Sequence, residues 1–147
     1  MSKNNKFNKQ LWTLGNKIED ELKPHLEEFL GEELFRSDDI YDIMDFKSKD
    51  NKLVVEIKGR RVSSTQYETT LLTCGKVIEA EKLMCIDEDT KVYVFFVFTD
   101  CVKYIQLPKE RPNWNCKRTG TNHIPHFLIP ITELIEFEGV DKLKSNQ

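Results

Sequence analysis

The sequence predicts an α/β domain in which helices flank a mixed central sheet. Three observations carry this expectation. Apolar residues recur at helical spacing near the N-terminus. The run "KVYVFFVFTD" is apolar at successive positions, the pattern of a strand buried on both faces. Around it, stretches that read as strand pairs alternate with helical stretches, in the order helix, hairpin, helix, hairpin. At 147 residues the chain has the size of a single domain, 1–147, with one core of moderate size. No internal repeat and no linker divides it.

Each element has its own residue pattern. Phe7, Leu11, Leu14, Ile18 and Leu22 form an apolar stripe that Leu26, Phe29 and Leu30 continue past Pro24. This predicts either one helix kinked at Pro24 or two helices with Pro24 in the first turn of the second. After the polar "RSDD", the stretches "IYDIMDFK" and "KLVVEIKGR" read as two strands joined by a turn at Asp50 and Asn51. From Ser64 to Met84 the spacing of Tyr67, Leu71, Cys74 and Ile78 predicts a second helix, capped by Ser63 or Ser64. "CVKYIQL" is the expected hairpin partner of the central strand. "PKERPNWNCKRTGTNHIPHF" reads as a long loop, and "FLIPITELIEF" as a short strand and helix that close the fold.

Composition narrows the class. A hydrophobic share of 39%, a charged share of 32% and nine Phe describe a globular protein rather than a disordered or fibrous one. The first residues, "MSKNNKFNKQ", lack the apolar run of a signal peptide, and no window approaches the ~18 apolar residues of a membrane span. An intracellular protein without membrane contact is expected. Cys74, Cys85, Cys101 and Cys116 contain no C-x-x-C pair, which argues for reduced thiols over a zinc ribbon. Cys116, His123 and His126 leave a zinc-bound interaction module as a further reading. The net charge is -3, but the charge is segregated. Glu19 to Asp45 holds eleven acidic and two basic residues, whereas Cys101 to His126 holds five basic and one acidic. An acidic zone can supply ligands for a cation and a basic zone can hold phosphates.

The strand "KLVVEIKGR" poses the chemical question. An acid-x-Lys tripeptide is cheap, since about 3 are expected by chance in such a chain. Five occur, and Glu56/Lys58 is the one inside an unbroken apolar strand. Strand alternation puts Val55 and Ile57 on one face and Val54, Glu56 and Lys58 on the other. A buried charge needs compensation. A two-residue turn at Asp50 and Asn51 would set Lys49 against Lys52, Asp45 against Glu56 and Ile43 against Lys58. Two facing carboxylates repel unless a proton or a cation lies between them. Mg²⁺ suits such a pair, because it takes one or two carboxylates with water and phosphate oxygens completing its shell. Asp45 and Glu56 are therefore the expected metal ligands for Mg²⁺ or Mn²⁺, with Lys58 beside them to orient water or steady charge on a phosphate. A plain Glu/Lys/Asp ion network on a half-exposed face is the competing explanation.

This order of elements, with Asp45 followed after a turn by Glu56, Ile57 and Lys58 and then by "GRR", resembles the PD-(D/E)XK nuclease superfamily of restriction enzymes and Holliday-junction resolvases. The resemblance spans about Leu11 to Leu107. It implies a restriction-endonuclease-like core in α-β-β-β-α-β order and a metal-dependent DNA endonuclease in which Asp45, Glu56 and Lys58 are catalytic. Many members add a Glu from the first helix; Glu19 in "GNKIEDEL" is the first choice and Glu21 the second. No Pro precedes the proposed Asp, and Asp42 competes with Asp45, although register puts Asp42 on the opposite face. Gln66, Thr69 and Lys76 on the second helix are further candidates. Arg60, Arg61, Lys117 and Arg118 are the expected nucleic-acid-binding residues, Arg because its planar fork matches phosphate, and Trp114 and Tyr104 are candidates for base stacking. A two-fold homodimer would carry two sites to two DNA strands. The alternative to an enzyme is a nuclease-like fold that has lost activity and only binds nucleic acid or a protein.

Overall fold

Leu53–Gly59 form β3, the strand whose alternating side chains enter two different cores. The computed structural model describes residues 2–36, 44–120, 122–138 and 140, with side chains from residue 14 onward. Val55 and Ile57 point to one face, where Ile18, Leu22 and Leu26 of helix α1 (Ser2–Leu30) cover them. Val54 points to the other face, where Val77, Ala80 and Met84 of helix α2 (Cys74–Ile86) lie. Successive buried residues of α1 stand four apart, so they form one stripe along the helix. Of the two readings at Pro24, the single helix is the one observed, with Pro24 on its exposed side. Phe7 and Leu11 of the stripe lie outside the described side chains.

The central sheet has six strands. Strands β1 (Phe35–Arg36), β2 (Phe46–Lys47) and β3 run antiparallel. The chain then crosses through β4 (Thr69–Thr73) and α2 to β5 (Lys91–Val97), which lies parallel to β3 over the full length of both. β6 (Val102–Gln106) and the short β9 (Ile135–Glu136) extend the sheet antiparallel beyond β5. The sheet is therefore mixed, in the order β1-β2-β3-β5-β6-β9, with α1 on one face and α2 on the other. β5 is apolar on both faces because both are covered.

A second, three-stranded sheet, β4-β8-β7, uses β8 (Ile124–Pro130) and β7 (Asn115–Thr119). It overturns two expectations. The helix predicted from Ser64 begins only at Cys74, because Thr69–Thr73 is rich in β-branched residues and pairs with β8. Tyr67 and Ile78, expected on the buried face, are exposed. Ser64 caps no helix; its N–H and hydroxyl both donate to the Asp100 carboxylate at 2.8 Å, pinning the segment after β3 to the β5–β6 turn. The long loop expected over 108–127 contains the β7–β8 hairpin, and the closing helix is a 3-10 turn at Ile131–Glu133. Among the described residues no helix is long and apolar enough to cross a membrane.

The β2–β3 hairpin keeps the predicted register with a different turn. Phe46 pairs with Val55 and Lys47 with Val54. The connection is a four-residue loop closed by the Ser48 N–H on the Leu53 carbonyl at 2.9 Å, with Asn51 in the left-handed region at φ 61°. Ser48 is buried; its hydroxyl accepts the Leu53 N–H and donates to Asp50, and both bonds hold the loop shut. At the other end of β3, Gly59 lets α1 come close, since a Cβ there would lie 3.2 Å from Ile18 Cδ1. The first half of "IYDIMDFK", which includes Asp42 and Ile43, lies outside the described residues.

Candidate functional site

Pairing between β2 and β3 changes character at Asp45. Its N–H reaches the Val55 carbonyl at 3.1 Å, although Phe46 is already the cross-strand partner of Val55. Two successive residues thus oppose one, the arrangement of a β-bulge, which re-aims the side chain at that point. The Asp45 carboxylate turns onto β3 and accepts the Ile57 N–H at 2.7 Å, taking the place of a backbone acceptor. Asp45 was expected directly opposite Glu56. The bulge offsets it by part of a residue, yet the two carboxylates remain close enough for the Glu56 charge to push the Asp45 pKa up.

Glu56 is the centre of the cluster. It is 2% exposed, in the middle of β3 on the face toward α2. Lys58 Nζ lies 3.1 Å from Oε1 and Lys76 Nζ 3.2 Å from Oε2. Lys58 is two residues along the same strand, hence on the same face. Lys76 is in the first turn of α2, which leaves β4 pointing back over the sheet.

Glu19 enters from the opposite layer. It occupies the α1 stripe between Ile18 and Leu22, is 9% exposed, and hydrogen-bonds to the Asp45 carboxyl. Arg36 of β1 fixes it from the other side, with Nη1 2.7 Å from Glu19 Oε2 and Nη2 2.8 Å from Asp20 Oδ1, and with its guanidinium 5.1 Å from the Phe46 ring centroid. Glu21, the second choice, stands two positions on and so points to another side of the helix.

The electrostatics follow from this crowding. Burial, above all, and the proton shared with Asp45 raise the Glu19 pKa to about 7, even though Arg36 pulls it down. Burial and then the Glu56 charge hold Asp45 above the usual carboxylate range, against the Ile57 N–H and Lys58, which favour its ionised form. Near neutral pH the proton between Glu19 and Asp45 is therefore bound about half of the time. A consequence is measurable. Because the folded pKa of Glu19 lies above its unfolded value, its contribution to stability is complete below the unfolded value near pH 4.5 and is lost as pH rises through about 7. Glu19→Gln should flatten this slope, so that the variant gains stability relative to the parent between pH 5 and pH 8, by up to roughly 3 kcal/mol. Urea titrations at the two pH values check it; an unchanged difference between them would contradict the shared proton.

Among the described residues, no group of three or more His, Cys, Asp or Glu side chains is placed to hold a metal ion. The nearest approach to such a set is Asp45, which feels the Glu56 charge on one side and hydrogen-bonds to Glu19 on the other. These donors are all oxygen, the type a hard divalent cation takes together with water and phosphate. Asp45 and Glu56 are the carboxylates that could hold such an ion, although both Glu56 oxygens already meet lysine ammonium groups.

The basic candidates divide. Arg60 is drawn inward: Nη2 donates to the Leu71 carbonyl, Nε to Thr70 Oγ1 at 3.2 Å, and the guanidinium lies 5.7 Å from the Phe96 ring centroid. Burial lowers its pKa, with the charge of nearby Glu56 opposing the shift. Arg61 is exposed. Both line a cavity of about 350 Å³ together with Ser63, Tyr67, Thr70 and His126. Lys117 is the cross-strand partner of His126, so it stands on the same face of its sheet as that cavity wall. Arg118, one residue on, takes the other face, and its Nη1 donates to the His123 carbonyl at 3.2 Å. Gln66 and Thr69 precede α2 instead of lying on it.

The two stacking candidates are packed. Tyr104 stacks on Phe95 at 5.2 Å, and Trp114 is buried against Phe127 with its Nε1 donating to the Glu133 carboxylate. The zinc reading fails geometrically. Cys116 pairs with Phe127 and Lys117 with His126, so Cys116 and His126 leave β7 and β8 on opposite faces, and His126 Nδ1 is engaged by Thr119 and the Ile124 carbonyl. No family model matches the chain, and no curated protein or solved structure matches it either.

Proposed function

We propose that the chain is a Mg²⁺-dependent DNA endonuclease with a PD-(D/E)XK-like, restriction-endonuclease-like core. The observation that supports this reading is a run of neighbouring charges, with Glu19 hydrogen-bonded to Asp45, the Glu56 charge acting on Asp45, and Lys58 Nζ 3.1 Å from Glu56. The chain order supports it: α1, the antiparallel run β1–β2–β3, α2, and β5 parallel to β3 follow one another as in that superfamily, with β4 added before α2.

Asp45 and Glu56 would hold the ion. A divalent cation bound there supplies Lewis-acid polarisation of a phosphate oxygen and makes water more acidic. Asp45 is held in its rotamer by the Ile57 N–H, and Glu19 braces it from α1. Lys58 presents an ammonium to the negative charge that grows on the phosphate during in-line attack, and Lys76 holds the Glu56 carboxylate in place. Arg61 and Lys117 contact flanking phosphates on either side of the cavity that Arg60 shapes. A two-fold dimer, carrying one such site to each strand, belongs to the same proposal.

The competing reading is a nuclease-like fold that binds without cutting. One observation favours it: Lys58 and Lys76 already neutralise Glu56 between them. Incubation of the purified chain with linear, nicked and four-way DNA, in Mg²⁺, in Mn²⁺ and in chelator, separates the two. Cleavage that requires the metal is the expected result. Full activity in excess chelator contradicts it, and salt-sensitive binding with no cutting of any substrate supports the competing reading.

A further inference from the structure

Two cysteines far apart in sequence meet outside the carboxylate cluster. Cys74 opens α2, and Cys116 is the second residue of β7; their Sγ atoms are 3.5 Å apart. The topology produces the encounter. Thr73, the last residue of β4, pairs with His126 of β8, and Cys116 pairs with the next residue, Phe127. The first turn of α2 therefore reaches across β8 to the outer strand of the three-stranded sheet. We infer that Cys74 and Cys116 are a site of reversible disulfide formation that ties the start of α2 to β7.

The two thiols are suited to different roles. Cys116 is exposed and Cys74 is buried. An S–S bond is about 2.05 Å long, so the gap closes by a movement of about 1.5 Å, within reach of a side-chain rotation at the exposed partner. Arg111, whose guanidinium sits 4.4 Å from the Phe127 ring centroid and pairs with Glu81 at 3.2 Å, favours the Cys74 thiolate and opposes part of the effect of burial. Cys116 is the one of the pair that an oxidant in solution reaches, so it reacts first, while burial both shields the Cys74 thiol and pushes it up. With a small-molecule disulfide such as oxidised glutathione as the oxidant, the Cys116 thiolate attacks one sulfur and expels one glutathione thiolate. The Cys74 thiolate then attacks Cys116 Sγ, expels the second, and closes the protein disulfide. Two protein thiols become one disulfide, one glutathione disulfide becomes two glutathione thiols, and the two protein protons pass to them.

The inference does not depend on the proposed nuclease activity. It is tested on the full chain by equilibration with oxidised glutathione, acid quenching, alkylation of the remaining thiols and peptide mapping. The expected product is a Cys74–Cys116 linked peptide lacking two hydrogens, with Cys74 lost from the alkylated pool and regained after dithiothreitol. Exposed Cys85 serves as the internal control, ending as a mixed disulfide or alkylated. In Cys116→Ser, Cys74 should stay fully alkylatable under the same oxidation. A Cys116–glutathione adduct that persists while Cys74 remains alkylatable, or a cross-link of either residue to Cys85 or Cys101, would overturn the assignment.

Discussion

A Lys58→Ala chain is expected to fold as the parent does and to cleave DNA about 10²–10³-fold more slowly, the loss typical of one preorganised electrostatic donor. The fold should survive because Lys76 remains 3.2 Å from Glu56 and still compensates it. Lys58 itself is 29% exposed, so its truncation opens no cavity in the core. The loss should fall on the single-turnover rate more than on DNA affinity, because in the proposed function the ammonium meets charge that develops only during the reaction. Single-turnover cleavage in Mg²⁺, with circular dichroism to confirm the fold, measures it. A Lys58→Ala chain that cuts at the parental rate would remove Lys58 from the chemistry and leave the ion network as a structural device.

Glu56→Ala has the larger effect on stability. Removing this carboxylate leaves two ammonium groups facing each other across the space it filled. Breaking a fully buried ion pair from one side costs about 3–5 kcal/mol. Here the lysine side chains are 29% and 19% exposed and can turn partly to water, which places the expected loss nearer 2–3 kcal/mol. For a chain of this length that is a fall of roughly 5–10 °C in melting temperature. Adding Lys76→Met to Glu56→Ala removes one of the stranded cations and should recover part of the loss, a coupling that two independent sites would not show. Chemical denaturation of the single and double variants reads both numbers. Equal stability of Glu56→Ala and the parent would mean that the two lysines do not depend on Glu56.

Much of the site was legible in the sequence because strand physics is local. A charged pair at i and i+2 inside Leu53–Gly59 has to share a face, and the hairpin register could be counted back from Asp50 and Asn51 even though the turn itself is longer than two residues. Glu19 was legible because it borders the apolar stripe of α1. What was hidden depends on long-range packing. The β-bulge at Asp45 answers to the Ile57 N–H on the neighbouring strand, which no local pattern announces. Lys76 was one candidate among several, and its selection required knowing that α2 begins at Cys74 and not near Ser64. The strand Thr69–Thr73 was masked because Leu71 and Cys74 also satisfy a helical period, and tertiary pairing with β8 decided between the two. Arg60 looks like a phosphate ligand in sequence, yet its fork is spent on the Leu71 carbonyl and Thr70.

The disagreement between a nuclease and a nuclease-shaped binding protein reduces to whether Asp45 and Glu56 take a cation at all. Titration of Mn²⁺ into the purified chain, followed by the loss of the free-ion paramagnetic resonance signal, measures this directly. A saturable single ion per chain is predicted, bound at least about tenfold more weakly by Asp45→Asn, whose fold should be intact. No saturable binding by the parent, or equal binding by Asp45→Asn, would contradict a metal centre at this point of the sheet.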